Sequence, residues 1–250
     1  MEKVQSADGI TIAYEKSGTG PAVVLVTGAF CDRGSSATLA AKLRGYTVYR
    51  YDRRGRGDSG DAAAYATERE IDDLAAVVAA TGAVPYVYGH SSGAILALEA
   101  AAGGVPIAKV AAYEPPYTGE SPAEVAEQLA QWSAAGERDR AAEGFMRLTG
   151  MPQQVIDGVK QSPGWAAMTA IAHTLAYDLR ICGDGRPSAR LASVSVPTLA
   201  MAGGTSAPWA VPAAESVAAV VQGAVVRVVE GQNHNLADAA IAPVLTEFFS

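Results

Sequence analysis

"VYGHSSGAI", residues 87–95, runs apolar, breaks into Gly-His-Ser-Ser-Gly and turns apolar again. The run before the glycine has the pattern of a buried strand, and "SSGAILALEAAAGG" after it, residues 91–104, has that of a helix. A serine held between small residues at such a junction has two readings. One is a tight turn made of ordinary turn residues. The other is a nucleophile: in G-x-S-x-G at a strand-to-helix turn the backbone is so sharply bent that the hydroxyl of Ser91 stands at the sheet edge. There the free N–H groups and positive dipole of the helix can stabilise developing negative charge.

Working outward, strand-like and helical patterns alternate. "ITIAYEK" (10–16) alternates as a half-buried strand does, and "PAVVLVTG" (21–28) is the near-continuous apolar run of a strand covered on both faces. Helical "ATLAAKLRG" (37–45) is followed by strand-like "YTVYRYD" (46–52). "TEREIDDLAAVVAATG" (67–82) opens on a Thr placed to cap, carries acids in its first turns and ends in Gly. "VPYVYG" (84–89) and "IAKVAAYE" (107–114) complete the first half. Strand, helix, strand units of this size join parallel strands by right-handed crossovers, which predicts an α/β fold with an open, mostly parallel sheet flanked by helices.

After Pro115 the pattern turns helical for some 80 residues: "SPAEVAEQLAQWSAAG", "ERDRAAEGFMRLTG", "MPQQVIDGVKQS" and "PGWAAMTAIAHTLAYDLRIC". Strands return with "VPTLAMAGG" (196–204) and "AVVRVVEG" (224–231), each followed by a helix. Both flanks are needed to complete the sheet. The expected organisation is therefore a core of residues 1–115 and 196–250 with a helical cap, 116–195, inserted between them.

Composition limits the partners. Hydrophobic residues make up 49% and charged residues 18% of 250, the balance of a chain with a sizeable core. A net charge of -7, with no basic cluster, repels polyanions and argues against nucleic acid. Apolar runs stop well short of the roughly 18 residues of a membrane span, and "MEKVQSADG" has no signal-peptide core; a cytoplasmic protein acting on a small molecule is expected. Cys31 and Cys182 are expected as free thiols, and neither has partners at metal-ligand spacing, so no metal is called for. The oligomeric state has no signature.

A serine hydroxyl needs a base. Of the three histidines, His234 is the candidate, because "VVRVVEGQNHN" is a strand followed by a loop and delivers it to the same sheet edge as Ser91. His90 adjoins Ser91 but should point away from it, as a structural or site-lining group. His173 occupies an apolar position of a cap helix, packed or facing substrate.

With "LVTGAF" (25–30), "YDRRGRGDSG" (51–60), "GHSSG" (89–93) and "GQNHN" (231–235) in this order, the whole chain resembles the α/β-hydrolase family. The resemblance implies an oxyanion hole made by the amide of Ser92 and that of Ala29, with Phe30 as the near alternative. Thr27-Gly28 stands where the family often has His-Gly. Family members usually carry the triad acid after the seventh strand, but "PTLAMAGGTSAPW" offers only Thr205 and Ser206 there. Glu114, closing "VAAYE" at the end of the sixth strand, is the substitute. A G-x-S-S-G elbow and a Glu followed by Pro in this place are similar to the zearalenone lactone hydrolases, a local likeness that does not fix a substrate. Asp178, Asp184 and Asp238 follow no strand directly and are weaker candidates.

Gly55 to Gly60 fits G-x-G-x-x-G, but "DAAAYAT" separates it from the next helix, so a dinucleotide site is not expected. Phe30, His90, Trp132 and His173 are the candidate substrate-facing residues. Trp165, Trp209, Phe145, Met146 and Met168 are further apolar groups for which core packing is an equal account. The resulting expectation is a cofactor-free serine hydrolase, esterase or lactonase, working through Ser91, His234 and Glu114. Two alternatives stand beside it: a non-hydrolytic biosynthetic enzyme on the same triad (cyclisation, thioester release or carbon–carbon cleavage), and a catalytically silent ligand-binding protein.

Overall fold

In the computed structural model, which describes residues 1–250, eight strands form one sheet. They are β1 (Glu2–Gln5), β2 (Thr11–Gly18), β3 (Ala22–Val26), β4 (Thr47–Tyr51), β5 (Tyr86–His90), β6 (Lys109–Tyr113), β7 (Thr198–Gly203) and β8 (Val225–Val229), in the order β1-β2-β4-β3-β5-β6-β7-β8. β1 and β2 are antiparallel, and from β4 onward every pair is parallel. The apolar runs of the sequence correspond to the central strands: all six residues of β7 are buried. β1 carries no apolar pattern because three of its four residues are exposed at the sheet edge.

Helices α1 (Ala37–Lys42), α2 (Thr67–Ala80), α3 (Ser92–Ala102), α9 (Ala210–Val220) and α10 (Asp238–Phe249) cover the sheet. Side chains of α2, α3 and α9 make the larger core on one face, and those of α1 and α10 the smaller core on the other. α3 is buried at nearly every position, which is why its sequence is apolar all round rather than amphipathic. Thr67 does not cap α2: the helix starts at Thr67 itself, and Ala66 at the cap position supplies no side-chain acceptor.

Between β6 and β7 lie α4 (Ala123–Ala134), α5 (Arg138–Leu148), α6 (Gln153–Lys160), α7 (Trp165–Ala170) and α8 (Leu175–Ile181). The stretch 163–182 is broken into α7, a 3-10 turn and α8, instead of one helix. These helices share a third apolar cluster, centred on Leu129, Ala142 and Leu175, against which Ala29 and Phe30 of the loop after β3 pack. The cap thus touches the core where the resemblance implies an oxyanion hole. No helix is long and apolar enough to cross a membrane.

Candidate active site

Because β3 and β5 to β8 are parallel and in register, the loops that follow them open at one sheet edge. Val26 pairs with Gly89, His90 with Tyr113, Tyr113 with Met201 and Gly203 with Val229. Only three non-glycine residues in the chain have positive φ, and all lie at this edge: Phe30 (59°), Ser91 (57°) and Glu114 (47°). Left-handed backbone costs on the order of 1–3 kcal/mol at a residue with a side chain, so its concentration here marks a place where geometry outranks stability.

Ser91 sits between β5 and α3 with φ 57° and ψ -127°, its amide bonded to the Tyr113 carbonyl at 2.9 Å. The flanking glycines are there for close approach. A Cβ on Gly89 would lie 2.6 Å from Ala94 Cα, and one on Gly93 would lie 2.7 Å from the Thr27 carbonyl oxygen.

Glu114 follows β6 and is fully buried. Its Oε2 accepts from His234 Nδ1 at 2.6 Å; its Oε1 accepts from the Gly203 amide at 2.7 Å and from the Ser206 hydroxyl. Burial opposes ionisation of this carboxyl, but the bonds from His234, Ser206 and Gly203 prevail and hold it below the usual carboxylate range. With Nδ1 donating to Glu114, Nε2 of His234 is the free acceptor a base requires. The imidazole is 41% exposed while the carboxylate behind it is sealed, so His234 is open to a ligand and Glu114 is not. Ser91 Oγ makes no hydrogen bond to His234 in this conformation; such contacts commonly tighten only when substrate is bound.

His90 and Tyr113 are among the residues that hold the loop carrying His234. His90 donates from Nε2 to the His234 carbonyl at 3.0 Å, and the Tyr113 hydroxyl donates to the Asn233 carbonyl at 2.8 Å. Burial, reinforced by the neighbouring His234, lowers the His90 pKa to about 4 and keeps the ring neutral. Ser206, noted in the sequence only as standing where an acid was expected, donates its hydroxyl to Glu114. Trp209, one residue before α9, meets the His234 ring edge-on with centroids 5.9 Å apart.

The other sequence candidates have partners of their own. His173 pairs with Asp61 at 3.3 Å, and Trp132 lies under the Arg140 guanidinium, 4.4 Å from its ring centre. Phe30 packs edge-on against Phe145 of the cap. Asp184 bonds the Arg186 amide in an exposed turn, Asp238 begins α10, and Asp178 is buried among arginines. None of these three carboxylates hydrogen-bonds His234. Cys31 and Cys182 are both free.

The floor is a charged layer from the loop after β4. Arg53 forms two 2.7 Å bonds with Glu70, Arg54 pairs with Asp73, and Arg56 with Asp178. Arg56, inside the G-x-G-x-x-G stretch, is therefore part of a buried ion network. Surface clefts exist elsewhere, one along α10 beside Lys42 and one between Glu15, Arg33 and Asp58. Neither brings a nucleophile to a base, so chemistry and not concavity locates this site.

Residues 23–246 match the model of the alpha/beta hydrolase family. The chain belongs to that family. An alpha/beta hydrolase from Sphaerobacter thermophilus is 46% identical and superposes over 100% of both chains with a TM-score of 0.92. N-formylmaleamate deformylase of Pseudomonas putida is 37% identical over 120 residues, which span 46% of this chain and 45% of that relative. The enol-lactonase of Burkholderia xenovorans shares the fold, with a TM-score of 0.76 over 99% of both chains at 19% identity.

Proposed function

We propose that this protein is a serine hydrolase that cleaves a carboxylic ester or lactone of a small to medium apolar compound, through a Ser91–His234–Glu114 triad. The carrying observation is the 2.6 Å bond from His234 to the buried Glu114, at the same sheet edge as a serine in left-handed backbone.

In the reaction His234 Nε2 takes the proton of Ser91 as Oγ bonds the substrate carbonyl carbon. Glu114 stabilises the imidazolium that forms without itself taking up the proton. The carbonyl oxygen becomes an oxyanion facing the amides of Ser92 and Ala29. Collapse expels the alcohol, which receives the proton from His234, and leaves Ser91 acylated. Water, deprotonated by His234, then attacks the acyl carbon, releases the acid and restores the serine. The half-exposed rim offers Trp209 as an apolar wall beside the base.

The reading draws support from esterases and an enol-lactonase among the proteins of like fold. The partial likeness to a deformylase favours a second reading, release of a formyl group through the same acyl-enzyme. A series of 4-nitrophenyl esters of increasing acyl length, run beside a macrolactone and an N-formyl amide, separates the two. Turnover of esters or lactone that vanishes in Ser91→Ala supports the proposal. Turnover of the formyl amide alone transfers it to the second reading. Binding without turnover would leave a ligand-binding protein.

A further inference from the structure

The cap contributes one ion to the interior of the core. Asp178 of α8 is 2% exposed and lies beneath the elbow. Its carboxylate accepts from Arg56 Nη2 at 2.9 and 2.8 Å, from Arg53 Nη1 at 2.8 Å and from the Ser92 hydroxyl at 2.6 Å. We propose that Asp178 is a positioning residue for the oxyanion hole, fixing the amide of Ala29 through Arg56 and that of Ser92 through its side chain. This rests on the serine-hydrolase reading above.

The first arm runs through Arg56. While Nη2 is held by Asp178, Nη1 donates to the Gly28 carbonyl at 2.6 Å and to the Cys31 carbonyl at 3.2 Å. Gly28 C=O and Ala29 N–H belong to one planar peptide, no peptide bond in the chain is cis, and in a trans unit the two groups point opposite ways. Drawing the carbonyl down into the buried guanidinium therefore turns the Ala29 N–H up, away from the floor. That peptide borders the nucleophile, since a methyl on Gly28 would lie 2.9 Å from Ser91 Cβ. No loop or turn carbonyl accepts from the amide of Ala29, so its N–H is available. Between the two candidates left open by the sequence, this arm selects Ala29: no guanidinium holds the Ala29 carbonyl, whose peptide carries the Phe30 amide.

The second arm is Ser92. Its hydroxyl donates to Asp178 and accepts from Arg53 Nη1 at 3.0 Å, and the residue is 2% exposed. With the side chain pinned below, the backbone N–H at the first position of α3 has no intrahelical acceptor. One carboxylate from the cap thus sets the aim of both donors. Asp178 is held ionised in the face of burial by Arg56, Arg53 and Ser92, as the clamp requires.

If Asp178 served only to neutralise two arginines, its loss would be felt in stability alone. A positioning role is felt in transition-state binding. The test uses the full chain, 4-nitrophenyl acetate as substrate and an alkyl trifluoromethyl ketone as inhibitor, which adds the serine and places an oxyanion in the hole. Ser92→Ala keeps the amide and removes the clamp. It should stay folded, lose about tenfold or more in kcat with KM within a few-fold, and bind the ketone more weakly by the same factor. Asp178→Asn should shift kcat and ketone affinity in the same direction; should it fail to fold because the buried Arg56 guanidinium loses its carboxylate while Arg53 keeps Glu70, Ser92→Ala alone decides. A folded Ser92→Ala with unchanged kcat and ketone affinity, or a loss lying wholly in KM or thermal stability, overturns the proposal. Wild-type protein that no fluorophosphonate labels at Ser91 sinks the hydrolase reading and this role together. Labelled wild type with an unaffected Ser92→Ala sinks the positioning role only.

Discussion

Replacing Glu114 by Gln removes one charge and no atoms of bulk, and the structure dictates which way the new amide must face. The Gly203 amide, a donor only, points at Oε1 from 2.7 Å. An NH2 group cannot stand there, so the carboxamide oxygen takes the Oε1 position and its nitrogen the Oε2 position, opposite His234 Nδ1. That nitrogen donates. It therefore favours the tautomer in which Nδ1 is bare and Nε2 carries the proton, and a protonated Nε2 cannot deprotonate Ser91. Loss of the imidazolium's counter-charge adds to this. An acid-to-amide exchange in a serine triad of this geometry costs about 10⁴-fold in kcat, roughly 5.5 kcal/mol at ~1.4 kcal/mol per tenfold. Glu114→Ala, which imposes no tautomer, should be the less damaged of the two. The assay is steady-state hydrolysis of a 4-nitrophenyl ester with a thermal melt on the same samples, and nitrogen-15 NMR of the imidazole to read the tautomer. Folded Glu114→Gln within about tenfold of wild type would refute the assignment of the acid.

Ser206→Ala removes a charge-assisted donor from Glu114 and should cost about 1.5–3 kcal/mol at neutral pH. Glu114 has its pKa depressed in the folded state, so this contribution is present above the ordinary value of 4.5 and fades as pH falls through the folded value. Melts of wild type and variant should differ at pH 7 and converge in acid; an equal gap throughout would contradict the role. His90 is lowered to about 4 from 6.5, so between those values the unfolded chain binds a proton the folded chain refuses. Stability should fall as pH drops through this window, by at most about 3 kcal/mol and by less to the extent that water reaches the ring. His90→Gln should flatten that slope, and an unchanged slope would remove His90 as its source. Tyr113→Phe frees the Asn233 carbonyl and with it the loop of His234. A loss of about 1 kcal/mol in stability and a several-fold drop in kcat at unchanged KM are expected, whereas a drop confined to KM would place Tyr113 in substrate binding instead.

The sheet was legible because its central strands are covered on both faces and so are apolar without interruption, as in β3, β5 and β7. The elbow was legible because two close approaches of backbone demand glycine on either side of Ser91. Glu114 was recognisable as a polar residue directly after β6, and His234 as one in the loop that follows β8, both at one sheet edge. What escaped has a common cause in distance along the chain. Ser206 and Glu114 are 92 residues apart, and Ser92 and Asp178 are 86 apart. No local pattern announces such pairs, so Ser206 registered only as a missing acid and Asp178 as a weak alternative to it. β1 escaped for another reason, since an exposed edge strand carries no apolar alternation. The break between α7 and α8 falls in a stretch whose apolar spacing would suit one continuous helix; at the turn, 172–174, Ala172 is buried in the cluster shared with α4 and α5.

The account rests on Ser91 being an activated nucleophile. Exposure of the wild-type protein to a fluorophosphonate at neutral pH, followed by intact-mass analysis and peptide mapping, tests that directly. One adduct per chain, on the peptide containing Ser91 and absent from His234→Asn, is the predicted result. No adduct, or an adduct on another residue, would contradict it.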